Sequence, residues 1–462
     1  MRRLCAHAAR AAALCALVGC ASTSPRASQR TVDGWLAERL PQHVAWQREA
    51  AADSAIEARV SAMLVGELDA DTAVAVALLR NPTLRATLEE VGIARADLVQ
   101  AGLLPNPLLS AASQPGTTTS FLMQGYGITL PFVHLLQRPM RRRIAAEQLR
   151  ATERRVTAAI LSVVEHTRTA HAEARAAREL VGLRASIAAA TDAAARTAEA
   201  MFAAGNIREL DLAAERAMAA QAAADLRLAR AHALVARQTL ATLMGRARDD
   251  SAWTVPDRSP LPNVDSLAFA EMDSLAVRSR LDLAAAAADA EAAARAAGLT
   301  RRFALLPDGQ LGIEWADEPD GQFLGPALTV PLPIFDQGRP AVAAAQARFR
   351  QAVQRHEALR VDVLAEVRAL RETLLATRER ALRLRREVVP LRTKVVEESQ
   401  KQFNAMNLSI FTLLLAKQAE IEAGAASVEA LRDYWVARAR LERAVGGAFT
   451  PRAANPSSSS SR

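Results

Sequence analysis

Few residues in this 462-residue chain are placed to do covalent, metal or proton-transfer chemistry. His43, His134, His166, His171, His232 and His356 are scattered. The nearest pair, His166 and His171, is five residues apart, which puts the two rings on different faces of a helix. There is no His-Glu-x-x-His run to hold zinc, no Gly-x-Ser-x-Gly elbow to present a serine, and no glycine loop to cradle phosphate. The carboxylates are spread along charged helices. No catalytic residue, metal site or cofactor is expected, and the chain does not read as an enzyme.

The three cysteines are Cys5, Cys15 and Cys20. Residues 1–19 have the order of a secretion signal: positive Arg2 and Arg3, a mostly apolar Leu4 to Val18, and the small Gly19. The stretch is too short to span a membrane. Leu17-Val18-Gly19-Cys20 resembles the bacterial lipobox, in which the cysteine is acylated and becomes the mature N-terminus. Cys20 is therefore the expected lipid-attachment (palmitate) residue, and Ala21 after it implies the outer membrane. An ordinary signal with a chance cysteine is the other reading. Cleavage before Cys20 removes Cys5 and Cys15, which excludes a disulfide framework and a cysteine–zinc site. It also leaves 55 basic against 50 acidic residues, too small an excess on a secreted chain to indicate nucleic acid.

With chemistry excluded, the elements carry the argument. Alanine is abundant and only 4% of residues are aromatic, which suits long helices packed at close range better than thick globular cores. Residues 20–67 read as anchor, polar tether (Ala21 to Arg30) and an N-terminal helical segment. A helical region is expected from Val32 to Gly102, broken at Pro41 and at Asn81-Pro82, with Asp71-Thr72 as a cap. Residues 98–137 contain no Asp, Glu, Lys or Arg, and Pro105, Pro107, Pro115, Pro131 and several glycines exclude a spanning helix. Two strands about a Pro115-to-Ser120 turn are predicted, with Tyr126, Ile128 and Leu130 alternating with Gly127 and Thr129. A helix from Met140 to Phe202 follows, then a turn at Gly205-Asn206 and a second helix to Gly245. Helices of this length imply an elongated molecule.

A linker at 256–265 separates this first repeat (68–255) from a second (266–447), and a tail (448–462) reads as disordered. The second repeat has a helix (266–299), strands about Leu311, Ile313 and Trp315, a turn through Asp317, Glu318 and Asp320, and another long helical hairpin. At an offset of 201, Phe202 matches Phe403, Asn206 Asn407, Leu240 Leu441 and Gly245 Gly446. This is an internal duplication. Val363, Val367, Leu370, Leu374, Thr377, Ala381, Leu384, Val388, Leu391 and Val395 form a heptad stripe. It predicts coiled-coil packing, with a bend or local opening at Pro390. Four strands cannot close a barrel, and an open edge is not tolerated in lipid, so strands that cross a membrane must be pooled between copies.

The order, the duplication and several runs resemble the TolC-type outer-membrane factors of tripartite efflux systems, and the Gly205-Asn206-Ile207 and Ala430-to-Trp435 runs look closest to their heavy-metal cation branch. The runs are Ala77-Leu78-Leu79-Arg80-Asn81-Pro82, Gln100-Ala101-Gly102-Leu103-Leu104-Pro105-Asn106-Pro107, Ala204-Gly205-Asn206-Ile207, Val330-Pro331-Leu332-Pro333-Ile334-Phe335-Asp336-Gln337-Gly338-Arg339 and Ala430-Leu431-Arg432-Asp433-Tyr434-Trp435. The resemblance implies a mainly α fold with a small β part: duplicated helical hairpins forming a coiled-coil tunnel, and four strands per chain contributing to a shared trimeric transmembrane β-barrel. It implies a homotrimer in the cell outer membrane extending into the periplasm, partnered by a periplasmic adaptor (membrane fusion protein), an inner-membrane pump and outer-membrane lipid. The turns at Gly205-Asn206 and Met406-Asn407 would be adaptor-contact tips, although they are also what any tight interhelical turn uses. Asp211 is a candidate for a constriction, or a plain helix-turn acid. Asp317, Glu318 and Asp320 would lie at the extracellular mouth, and Arg138, Arg141, Arg142 and Arg143 near lipid headgroups. A lipid-anchored periplasmic coiled-coil protein, structural or adaptor, is the competing reading.

Overall fold

A computed structural model describes residues 22–42, 44–46, 50–115, 122–246, 253–262, 271–318 and 321–447. Cys20 and its leader, the first hairpin turn, Asp320 and the tail lie outside the described residues. The order is α1 (Arg26–Ala37), α2 (Ala50–Met63), α3 (Ala70–Arg80), α4 (Pro82–Gly102), β1 (Leu108–Pro115), β2 (Leu122–Leu130), α5 (Phe132–Ala203), α6 (Glu209–Leu243), α7 (Met272–Ser279) and α8 (Leu281–Arg302). There follow β3 (Gln310–Glu318), β4 (Gly321–Thr329), α9 (Arg339–Arg383), a π-helical turn (Leu384–Val388), α10 (Val389–Asn404) and α11 (Ile410–Ala444). No helix among the described residues is long and apolar enough to cross a membrane.

Several boundaries differ from the sequence expectation. Part of the polar tether is helical, because α1 already starts at Arg26. The cap of α3 is Asp69, whose carboxylate accepts the Thr72 N–H at 2.6 Å, rather than Asp71-Thr72. Helix α5 begins at Phe132, not near Met140, and runs on through Pro139, which lacks the N–H that would otherwise bond the Leu135 carbonyl.

The chain divides into two compact units. The first comprises 87–157 and 281–361 with the described residues before Asp33. Its helices approach closely through small residues, with Ala145, Ala151, Ala285, Ala288 and Ala292 buried. Charged side chains bind the same faces: Arg155 pairs with Asp289 at 2.7 Å, and Glu147 with Arg150 at 2.9 Å and Arg295 at 3.3 Å. Its sheet is described below.

The second unit comprises 33–86, 158–280 and the described residues from Asp362 onward. One core cluster joins Val60, Leu64, Leu68, Val76, Leu240, Met244, Trp253 and Val255. The chain around Trp253 is held by backbone bonds, Leu68 N–H to the Thr254 carbonyl at 2.7 Å and Thr254 N–H to the Gly66 carbonyl at 2.9 Å. The duplication is visible in matching helix ends. Asn81 donates to the Leu243 carbonyl at 2.8 Å, and in the second repeat Arg280 donates to the Ala444 carbonyl at 3.3 Å. Arg280 and Arg443 also share Glu366.

The heptad stripe is followed only in part. Val363, Val367, Leu374 and Ala381 are buried, yet Leu391 and Val395 are exposed. The π-helical turn, in which the Val389 N–H reaches the Leu384 carbonyl, inserts one extra residue just before Pro390. That widening accommodates a residue without an N–H and shifts the phase of the stripe by one. Thr393 now faces α11, where it donates to Glu420 at 2.7 Å.

His171 is buried and its Nε2 lies 2.8 Å from the Leu68 carbonyl. Burial, first among the causes, holds its pKa below the usual imidazole value. The unfolded chain therefore takes up this proton at a higher pH than the folded one. The contribution is neutral at high pH, and stability falls as pH drops below about 6.5, the ordinary histidine value. A denaturant-midpoint series from pH 8 to pH 5 is expected to fall in wild type and to flatten in His171→Gln.

Candidate functional site

The four strands form one sheet in the order β1-β2-β3-β4, every pairing antiparallel. The register sorts the side chains into two unlike faces, because successive residues of a strand point to opposite sides. One face carries Leu109, Tyr126, Ile128, Leu311, Ile313, Trp315, Leu324 and Leu328, all large, apolar and exposed. Tyr126 and Trp315 are cross-strand partners whose ring centroids lie 5.6 Å apart. The other face carries Ser110, Gly125, Gly127, Thr129, Gln310, Gly312, Glu314 and Gly325. Leu108 and Phe323, near the ends of the sheet, also lie on this second face, which is otherwise small and polar; a mainly apolar side opposite a mainly small and polar one is the pattern of a strand set between lipid and a lumen. Among the described residues, the outer edges of β1 and β4 are unpaired in the single chain.

Of the glycines on the polar side, Gly312 and Gly127 are closely packed, whereas Gly125 and Gly325 have room for a side-chain carbon. A Cβ on Gly312 would overlap the Ile128 carbonyl oxygen and come within 2.9 Å of Thr129 Cα. A Cβ on Gly127 would meet Ser110 Oγ at 2.6 Å and Glu314 Cγ at 3.2 Å. Glu314 thus extends over glycines, since its register partners are Gly127 and Gly325. Sequence reasoning missed this residue, although it is the polar member of the Ile313–Trp315 alternation. Of the acids expected at the hairpin turn, Asp317 and Glu318 end β3, with their side chains outside the description, as is all of Asp320.

The basic cluster after the first hairpin sits inside α5. Arg138 Nε donates to the Gly102 carbonyl at 2.6 Å, placing a cation at the C-terminal end of α4. Arg141 donates to the Gln137 side chain at 2.7 Å.

The two helical tips are built alike in the backbone and differ in side chains. Gly205 has φ +76°, with Asn206 N–H bonded to the Met201 carbonyl at 2.8 Å and Gly205 N–H to Phe202 at 2.9 Å. Met406 has φ +62°, with Asn407 N–H bonded to Gln402 at 2.9 Å and Met406 N–H to Phe403 at 2.9 Å. Both are Schellman ends, whose left-handed residue is usually glycine. Met406 is the only non-glycine with positive φ among the described residues, and its side chain is 95% exposed. Exchanging it for glycine relieves a left-handed side chain. Met406→Gly is expected to stabilise the tip by about 1 kcal/mol, read as slower amide exchange in α10 and the start of α11, and Gly205→Met to do the reverse by a similar amount.

Beyond the turns the helices are capped differently. Arg208 precedes α6, and its guanidinium pairs with Asp211 at 3.0 Å while its N–H donates to the same carboxylate at 3.3 Å. The Arg208 hydrogen bond holds the Asp211 carboxyl below its ordinary pKa, so it is anionic at neutral pH. In the second repeat Ser409 caps α11, accepting the Phe411 N–H at 3.2 Å. Near the first tip Glu215 is buried among Ile187, Phe411, Leu415 and Ile421, and burial raises its pKa. Sequence gave no sign of it, because its apolar neighbours come from α5 and α11.

Neither protein-family models nor curated protein sequences match the chain. Solved structures do. A membrane protein from Pseudomonas aeruginosa superposes with a TM-score of 0.69 at 20% identity, over 82% of this chain and 92% of that one. The outer-membrane channel OprN gives 0.68 at 18% identity, over 88% and 94%. CusC, described in terms of folding and transmembrane channel formation, gives 0.66 at 16% identity, over 88% and 97%. The chain has the fold of these channel proteins along nearly their whole length.

Proposed function

We propose that this protein is the outer-membrane channel component of a tripartite efflux system. In this reading three copies pool their strands into a twelve-stranded barrel and their helical hairpins into a periplasmic conduit. Small solutes, heavy-metal cations or drugs among them, pass from an inner-membrane pump through a periplasmic adaptor to the exterior. Cys20 carries the lipid anchor, Gly205-Asn206 and Met406-Asn407 meet the adaptor, and Asp211 lines a constriction near the tips. Residues 68–255 and 266–447 are the two repeats of the working unit, joined by the 256–265 linker.

The observation that carries the reading is the sheet: one apolar face, one glycine-rich polar face and two unpaired edges. Unpaired backbone groups cost several kcal/mol each in hydrocarbon, so such a sheet enters a membrane only if other copies complete it. Even-numbered antiparallel closure is then available to a trimer. The fold shared with OprN and CusC supports the same conclusion.

Native mass spectrometry of protein extracted from outer membranes tests the assembly. A species of three mature chains, each beginning at an acylated Cys20, is expected. A monomer or dimer carrying little detergent would instead favour the anchored coiled-coil protein. In planar bilayers the trimer is expected to conduct. Glu314→Gln is expected to lower the cation-over-anion permeability ratio, since three carboxylates are lost from the lumen; an unchanged ratio would place Glu314 outside the ion path.

A further inference from the structure

The duplication supplies an internal control for a surface that the single chain leaves bare. After β2, the chain turns into α5 under cover. Val133 and Gln137 are buried, and Gln137 Nε2 donates to the Pro307 carbonyl at 3.3 Å. Phe132 packs over Gly309 so closely that an added Cβ there would lie 2.9 Å from its ring. The cover is the run Leu305-Leu306-Pro307-Asp308-Gly309, which leads into β3, the strand paired with β2.

After β4 the corresponding segment has no cover among the described residues. Leu332 is 74% exposed, Ile334 68% and Phe335 99%, and Gln337, which matches Gln137 at an offset of 200 because Gly338 is one extra residue before the Arg138–Arg339 match, is exposed as well. This is not a loose loop. The Ile334 N–H bonds to the Leu332 carbonyl at 2.8 Å and the Gly338 N–H to Asp336 at 2.8 Å. Gly338, at φ +74°, lies against the Ala304 backbone with no room for a side chain. The segment is thus held in a shape that presents apolar side chains to solvent.

The missing cover exists elsewhere in the sequence. Leu103-Leu104-Pro105-Asn106 repeats Leu305-Leu306-Pro307-Asp308 and leads into β1, the opposite edge of the sheet. Leu103 and Leu104 are themselves exposed. Because all three pairings are antiparallel, β1 and β4 run in opposite directions. Edge pairing of β4 with β1 of a second copy is therefore antiparallel, and it brings the end of β4 beside the start of that β1, as the β2–β3 pair does within the chain.

We infer that Val330–Gln337 of each copy seats on Leu103–Pro107 of the adjoining copy, forming a clasp at the foot of the sheet. Leu332 takes the place that Phe132 holds within the chain, and Gln337 donates to the Pro105 carbonyl as Gln137 does to that of Pro307. The occupant is a second copy of this chain, and the inference rests on the trimeric reading above. It adds a contact outside the barrel strands that sets which edge meets which.

Paired cysteines test it in the full-length protein in outer membranes, with a short bis-maleimide. One variant carries Gln337→Cys with Asn106→Cys. A second carries Leu328→Cys with Ala111→Cys, residues that the β2–β3 register places opposite each other across the shared edge. Both are expected to give a ladder of two and three chains on denaturing gels, and each single substitution none, which accounts for Cys20. An edge ladder, or a trimer by mass, without a 337/106 ladder overturns the clasp and leaves the trimer standing. A 337/106 product confined to one chain also overturns it. Absence of both ladders, with a monomer by mass, overturns the clasp and the trimer together.

Discussion

Gly312→Ala is expected to leave the helices folded and to remove the protein from the outer membrane as an assembled species. An added Cβ would fall on the Ile128 carbonyl oxygen, 2.7 Å from Thr129 Cγ2 and 2.9 Å from Thr129 Cα. Two of these are backbone atoms, which no rotamer change moves aside, so β2 and β3 must separate where Thr129 and Gly312 face each other. Each ladder bond broken leaves groups that lipid cannot satisfy, at several kcal/mol apiece. The loss therefore exceeds about 3 kcal/mol for even one broken bond. Far-UV circular dichroism should stay near wild type while detergent-resistant trimer on unheated gels disappears. Gly125→Ala is the control: a Cβ there finds its nearest neighbour at 4.0 Å, so trimer should persist. Full assembly of Gly312→Ala would show that the two central strands are not packed as described.

Trp253→Ala is the largest expected effect in the second unit, about 3–5 kcal/mol of lost stability. The indole is 1% exposed, packed among Leu68, Leu240 and Met244. Arg237 lies 3.9 Å over its ring and also donates to the Trp253 carbonyl at 2.8 Å, so truncation strips a cation of its aromatic partner as well as opening a cavity. The ring nitrogen has no hydrogen-bond partner among the described residues. Trp253→Phe accordingly loses volume but no bond, and about 1–2 kcal/mol is expected. Denaturant unfolding followed by helix signal separates the two: a large shift for alanine and a small one for phenylalanine. Equal shifts would mean that the indole nitrogen matters more than the packing does.

These two sites carry different parts of the proposed activity. A conduit needs no reactive side chain; it needs strands that close without edges and hairpins that hold their spacing. Gly312 serves the first requirement, and the Trp253 cluster anchors the base of α6 that serves the second. The tips differ between repeats, Gly205 with an Arg208–Asp211 cap against Met406 with a Ser409 cap, so a partner meeting both would meet two unlike surfaces. That asymmetry is already present in the sequence, where Met406, Ser409 and Thr412 stand at the positions of Gly205, Arg208 and Asp211.

The kinds of element and their order are legible along the chain without its fold. The period-two alternation of Tyr126, Ile128 and Leu130, and of Leu311, Ile313 and Trp315, locates strands because the backbone alone sets which side chains share a face. Gly205-Asn206 locates a turn for an equally local reason: a left-handed residue closes the helix within a few bonds. The heptad stripe marked a helix face, and the π-helical turn that displaces its last members is a local response to Pro390. Tertiary structure alone decided what met what. That Gly312 must be glycine follows from Ile128 and Thr129 in another strand. That Glu215 is buried follows from side chains of α5 and α11 closing around it. That Gln137 is covered while its counterpart Gln337 is bare follows from which strand lies beside each. Periodicity and turn chemistry are properties of neighbours along the chain and survive in one dimension. Contacts between residues far apart in sequence depend on the register with which elements come together, and only the folded chain specifies it.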